Sequence, residues 1–286
     1  MTTVFWLTCI FHCVGFSTSN VSDYEHEARI AAQANKYKDA ALLYERCVFL
    51  STETEKQAEF LIEKAKCYWA INDFERSLSA LKRITTYNLS DSTRFETEYC
   101  LASNHYMQGN YQNALAELQQ IQAFTSDINL VEKTHFLAGL TFIQLKEWQK
   151  AKLQFVSWAN TLDETDSIKS VITTEITSLL MEENLPKYKN PETAKILSMY
   201  LPGAGQLYSG FFWEGAASLT FQLAGLAILG YGIYSQYYVT GGVVGFGIFQ
   251  RFYSGGVKRA QFLAEKRNFR NIKTLIEKAE EVKRKH

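Results

Sequence analysis

From Val21 to Thr161 the apolar residues recur three, four and seven positions apart, the spacing that lines one face of a helix. Trp148, Ala151, Phe155 and Trp158 make one such face. The arrangement also returns at longer range, with a period of 37 residues. Tyr37, Phe74, Tyr111 and Trp148 form one column of the repeat, Ala40, Ser77, Ala114 and Ala151 a second, and Ala28, Ala65, Ala102 and Gly139 a third. Two further columns, Tyr44, Leu81, Leu118, Phe155 and Cys47, Ile84, Ile121, Trp158, keep the same register. Between the halves of the units stand Asn35, Asn72, Gly109 and Lys146. Asn and Gly tolerate the left-handed conformation that closes a helix. Each unit is therefore expected to be an antiparallel helix pair, in which the small residue admits close approach and the aromatic opening the second helix fills the space beside it.

The order small residue, turn, aromatic, small residue, large apolar resembles the tetratricopeptide repeat, in four units from Val21 to Thr161. The chain departs from that family in its period, 37 residues against the usual 34, and in lacking the proline that commonly closes a unit. Continuing the register from Gly139 and Phe142 reaches Ile176 and Leu179, in an amphipathic run stopped by Pro186. Residues 165 to 182 are expected to form one helix that caps the stack, as solenoids require. The resemblance implies a superhelix whose concave face, lined by the first helix of each pair, binds extended or helical peptides. Helical phase assigns Glu25, Arg29, Glu59, Ile62, Lys66, Trp69, Tyr99, Ser103, Tyr106, Phe136 and Leu140 to that face. Charged in its first half and aromatic in its second, it suits a protein segment with a few apolar anchors. The cationic clamp by which some relatives hold a C-terminal carboxylate is not evident, since Glu25 and Tyr99 stand where cations are needed.

Beyond Glu183 the pattern changes. Residues 184–190 read as a linker, and Asn190-Pro191 as a helix start that leads to a short interfacial helix ending at Pro202-Gly203. Phe211 to Tyr234 contains one charge, Glu214, and is long enough to cross a bilayer. A polar break, Ser235 to Gly242, separates it from a shorter apolar run, Val243 to Tyr253, which carries Arg251. Gly225, Gly230, Gly241 and Gly245 permit close packing of the two, so a transmembrane hairpin is expected. Glu214 and Arg251 are expected to reach the interface separately rather than to pair. The run Pro202, Gly203, Gly205, Gln206, Tyr208, Gly210 resembles the P-G-x-G-Q-x-Y-x-G signature of small bacterial membrane domains, over residues 198 to 268. It is read as a structural hinge between an interfacial and a spanning helix, in which Gln206 and Tyr208 satisfy free backbone groups.

Composition sharpens this division. Thirteen of the sixteen glycines lie from Gly203 to Gly256. The formal charge of zero argues against a nucleic-acid partner, but residues 257–286, a basic amphipathic helix, carry ten Lys and Arg against four Asp and Glu. Residues 1–19 have the apolar core of a signal peptide and a small-x-small site at Ser17 and Ser19, though no basic residue precedes the core. Cys47, Cys67 and Cys100 fall on core positions, and neither they nor His105 and His135 form a disulfide framework or a metal set.

The organisation expected is thus all-α: signal peptide 1–19, a tetratricopeptide-like helical-hairpin solenoid over 20–183, linker 184–190, membrane domain 191–256 and basic helix 257–286. No catalytic constellation or cofactor motif is present. The expected function is that of a non-enzymatic adaptor holding a protein or peptide partner at the bacterial cell envelope, in contact with the lipid bilayer and within a possible membrane complex. The alternative is a transport or assembly subunit whose glycine-rich hairpin is the active part. Lysines and arginines flank the hairpin on both sides, which favours cytoplasmic repeats, whereas a cleaved signal places them in the periplasm; the periplasmic side of the inner membrane is preferred.

Overall fold

The computed structural model describes residues 20–125, 127–162 and 164–285, and these are helical with no strand. The expected signal peptide lies outside the described residues. The chain forms two compact units that divide between Thr134 and His135.

The first unit contains α1 (Val21–Gln33), α2 (Tyr37–Leu50), α3 (Thr54–Ala70), α4 (Phe74–Leu81), α5 (Asp91–Met107) and α6 (Tyr111–Phe124), and α7 (Ile128–Gln144) begins in it. Helices α2, α4 and α6 open on the aromatic column. The residues before them, Asn35, Asn72 and Gly109, have positive φ of 58°, 59° and 78°. Consecutive helices pack on one another through small residues: Ala28, Ala40, Ala65, Ala102 and Ala114 are at most 1% exposed. Ser77 is as buried as the alanines it replaces, and its hydroxyl donates to Ala65 O at 2.9 Å, so a polar atom in the seam keeps a partner.

One helix departs from the repeat. α4 ends at Leu81, so Ile84 lies beyond it, before the β-branched pair Thr85-Thr86 and a left-handed Asn88 (φ 62°). Ile84 still packs, partly buried, on the core between α2, α3 and α5. The register therefore fixes burial here where it does not fix helix. Glu45 ties the same region, accepting from Lys64 at 2.6 Å and Arg83 at 2.8 Å.

The second unit holds the rest of α7, α8 (Trp148–Thr161), α9 (Asp166–Leu179), α10 (Pro191–Tyr200), α11 (Ala204–Tyr208), α12 (Phe212–Tyr234), α13 (Tyr238–Thr240), a π-helical segment Gly241–Phe246 and α14 (Gly247–Lys285). α8 also opens on the aromatic column, after Lys146 at φ 62°. Phe136 meets the rings of Phe155 at 5.5 Å and Trp158 at 5.0 Å, edge to face. A Cβ on Gly139 would stand 2.7 Å from the Phe155 ring, so here the small column must be glycine.

One sequence boundary does not hold. The basic tail is not a separate element: α14 runs unbroken through Gly255-Gly256 for 39 residues, because packing against α10, α11 and α12 compensates the low helix propensity of the glycines. Its far end packs on α9 and buries Leu275, Ile276, Ala279 and Val282, with Lys285 paired to Glu175 at 3.3 Å. The segment 184–190 joins α9 to α10 without helix and is tied at residue 189, where Asn268 Nδ2 donates to Lys189 O at 2.7 Å while Lys189 N donates to Asn268 Oδ1 at 2.9 Å.

α12 packs antiparallel on the π segment and α14. A Cβ on Gly232 would meet Gly241, one on Gly225 would meet Phe249, and Phe221 stacks on Phe252 with ring centroids 4.5 Å apart. Farther along, Gly256 lies against Ser218 and Glu214 pairs with Arg259. This constant register centres the turn near Gln236, whose φ is 60°, and it corrects the expectation for Glu214. The carboxylate does not reach the interface alone, because Arg259, two turns beyond Arg251, lies opposite it and donates through Nε at 2.6 Å and Nη2 at 2.9 Å. Phe212–Tyr234 is the one helix among the described residues long and apolar enough to cross a membrane by length and composition.

Candidate functional site

In the first unit α3 and α5 diverge over a cavity of about 310 Å³, lined by Ala65, Lys66, Trp69, Ser77, Tyr99, Cys100, Ser103 and Asn104. Four residues assigned to the groove, Lys66, Trp69, Tyr99 and Ser103, meet there. Trp69 leans edge-on against Phe74 at 5.8 Å and leaves 42% of its surface open, while Tyr99 stacks on Phe95 at 5.7 Å. Lys66 bridges Glu63 at 2.7 Å and Glu96 at 2.6 Å. Burial opposes its charge, but the two carboxylates outweigh burial and hold its pKa above the ordinary lysine value. The two carboxylates more than offset the ammonium, so the Lys66, Glu63 and Glu96 cluster at the cavity carries one net negative charge.

Asn104, missed in the sequence, lies at the back of the cavity. It is 1% exposed; its Nδ2 donates to Cys100 O at 2.8 Å, and its Oδ1 accepts nothing. A buried amide oxygen without a donor is uncommon and costly. Only its polar type inside an apolar helical face could have flagged it. Burial pushes the Cys100 thiol up to about 11, so it is a poor nucleophile.

The other assigned residues are scattered. Glu25 and Arg29 pair with each other, Glu59 pairs with Lys56 at 2.6 Å, and Tyr106 rests on Tyr111 at 5.8 Å. Ile62, Phe136 and Leu140 are corrections: they are 1%, 6% and 5% exposed. Ile62 packs with Ala65, Ala80 and Leu81, on a helix with α2 on one side and α4 and α5 on the other, and Phe136 packs with Phe155 and Trp158.

The second unit holds the glycine motif against α14. Gly203 and Gly210 take φ of 86° and 83°, open to glycine at little cost. A Cβ on Gly205 would stand 1.8 Å from Ala194 O, so α10 and α11 touch backbone to backbone. Gln206, 1% exposed, accepts from Ser198 Oγ at 2.8 Å and donates to Gly256 O at 3.0 Å, tying α10, α11 and α14 together. Tyr208 OH accepts from Asn190 N at 3.2 Å, its ring lies 4.5 Å below the Lys189 ammonium, and it packs on Ala194, Ala260 and Ala264. Arg267 donates to Ser209 O at 3.0 Å, and its guanidinium fills the space a Cβ on Gly210 would need. The motif residues are thus consumed in packing; Pro202 ends α10 ahead of the left-handed Gly203. Among the described residues no group of three or more His, Cys, Asp or Glu is placed to hold a metal ion.

The chain matches no protein-family model and no curated protein.

Proposed function

We propose that this protein is a non-catalytic, membrane-tethered scaffold of tetratricopeptide-like helix pairs that captures a protein partner at the cell envelope through the cavity between α3 and α5. The observation that carries the reading is the pairing there of a half-exposed Trp69 with the orphan acceptor of Asn104. An extended or helical peptide supplies what both lack: an apolar side chain to cover the indole and an N–H to reach Oδ1. The solenoid is the arrangement that makes such a surface long.

The membrane reading rests on an inversion of burial. In α12 the buried residues are Gly215, Gln222, Gly225 and Gly232, while Leu223, Leu226 and Ile233 are 55%, 45% and 55% exposed. Exposed Trp213 and Tyr200, at 81% and 87%, suit an interfacial belt. On this reading α12 and the run after it form a transmembrane hairpin, α10 lies at the interface, and the repeats face the periplasm of a bacterial inner membrane.

The test is a photo-crosslinking residue in place of Ser103 in the full chain, in native membranes. A discrete protein adduct that Trp69→Ala abolishes is expected; adducts that persist unchanged in the Trp69→Ala background remove the groove. A phosphatase fused after Asn160 should be active, and an inactive fusion places the repeats in the cytoplasm. The second reading, a transport or assembly subunit, draws on Arg251 and buried Gln222 within the apolar pair. Replacing residues 202–256 by an unrelated anchor should preserve function in a scaffold and abolish it in a membrane subunit.

A further inference from the structure

A cavity of about 380 Å³ opens between α12 and α14, and its chemistry differs from that of the groove. Phe221 and Phe252, stacked at 4.5 Å, make an apolar wall, and Gly255-Gly256 leave the α14 side of the cleft open. Its charged residues are Glu214, Arg251 and Arg259. Glu214 is taken by both donors of Arg259, whereas Arg251 is exposed and has no ion-pair partner among the described residues. The cleft therefore carries one uncompensated positive charge beside an aromatic wall.

Gln222 does not line the cleft; it is 2% exposed and donates to Ser218, a lining residue, at 3.0 Å. A lone cation on an apolar helix pair, beside an open aromatic wall, marks a binding site rather than a packing contact.

We propose that this cleft holds the phosphate headgroup of an anionic phospholipid. The phosphate lies on the Arg251 guanidinium, whose planar fork suits it. One acyl chain lies along Phe221 and Phe252. Arg259 stays with Glu214, so one negative charge balances the site. The proposal rests on the membrane reading above, and the experiment separates the two.

The full chain is reconstituted in nanodiscs of phosphatidylcholine mixed with phosphatidylglycerol, and retained lipid is counted by native mass spectrometry after release. Flotation with the same lipids as vesicles is read in parallel. The wild type should float and retain one phosphatidylglycerol in preference to phosphatidylcholine. Arg251→Gln should float equally and lose that preference by about tenfold, the worth of one charge-assisted hydrogen bond. Gly255→Leu keeps every charge and fills the cleft; a Cβ at Gly255 meets nothing within 4 Å, so the helix tolerates it, and it should lose the lipid as well. Lys258→Gln, on a residue that does not line the cleft, should change nothing. Equal retention of the two lipids by the wild type, or undiminished preference in Arg251→Gln, overturns the site while leaving the membrane anchor standing. Failure of the wild type to float overturns both.

Discussion

The two units use small residues and polar atoms in opposite ways. In the first, alanines line the seams and Leu61, Leu81, Leu118 and Ile121 fill the core, so burying apolar area from water drives the assembly. In the hairpin of the second and the α10–α11 segment packed on it, glycines line the seam, amide and hydroxyl groups of Ser198, Gln206, Ser209 and Gln222 are buried, and leucines and isoleucines of α12 point outward. On the membrane reading proposed above, helices that meet this way gain from close backbone packing and shared hydrogen bonds rather than from escape from water. A period of small residues in a sequence thus states where helices touch, and the residues around it state which solvent surrounds them.

The largest expected effect sharpens that contrast. Leu118→Ala, at a site with no exposure, should cost about 2–5 kcal/mol of unfolding free energy. Leu223→Ala on the open face of α12 should stay within about 0.5 kcal/mol in detergent. Chemical unfolding of both variants checks this, and equal costs would break the inversion.

Next comes Gly205→Ala. The methyl group would be driven into the Ala194 carbonyl, which is backbone and cannot turn aside. A cost of about 3 kcal/mol is expected, read as faster proteolysis between residues 184 and 210, with the first unit unaffected.

The smallest effect is acid sensitivity confined to the first unit. His105 is 8% exposed, and burial first, then Lys82, holds its pKa below the ordinary 6.5. The unfolded chain therefore takes up the proton first as pH falls. The stability contributed by neutral His105 is complete above about pH 6.5 and lost as pH drops through its lower folded value. His105→Gln should flatten that dependence in thermal unfolding of the full chain. The buried polar groups of the hairpin listed above carry no ionisable side chain, so its melting should not respond over the same range.

Much of the architecture was legible because it is local and repeated. The positions of Tyr37, Phe74, Tyr111 and Trp148, and the left-handed turns ahead of them, follow from spacing and from what Asn and Gly tolerate. What depends on a distant partner was not legible. Arg259 and Arg251 are equally plausible mates for Glu214 until the turn is fixed, since shifting the turn moves every opposing pair. Phase put Ile62, Phe136 and Leu140 on an outer face, but a helix flanked on two sides has little outer face to offer. Of the candidate groove, the residues that stayed at the cavity are those on the facing stretches of α3 and α5, Lys66, Trp69, Tyr99 and Ser103. Asn104 was overlooked because its meaning lies in a missing donor, which no sequence displays.

The length of α14 has a mechanical consequence. At 1.5 Å per residue its 39 residues reach about 58 Å, and no proline interrupts them. One end is clamped to α12 and the glycine motif, the other to α9. Such a rod is stiff, so the placement of its first half against α12 and of its last turns against α9 are set together by one unbroken helix.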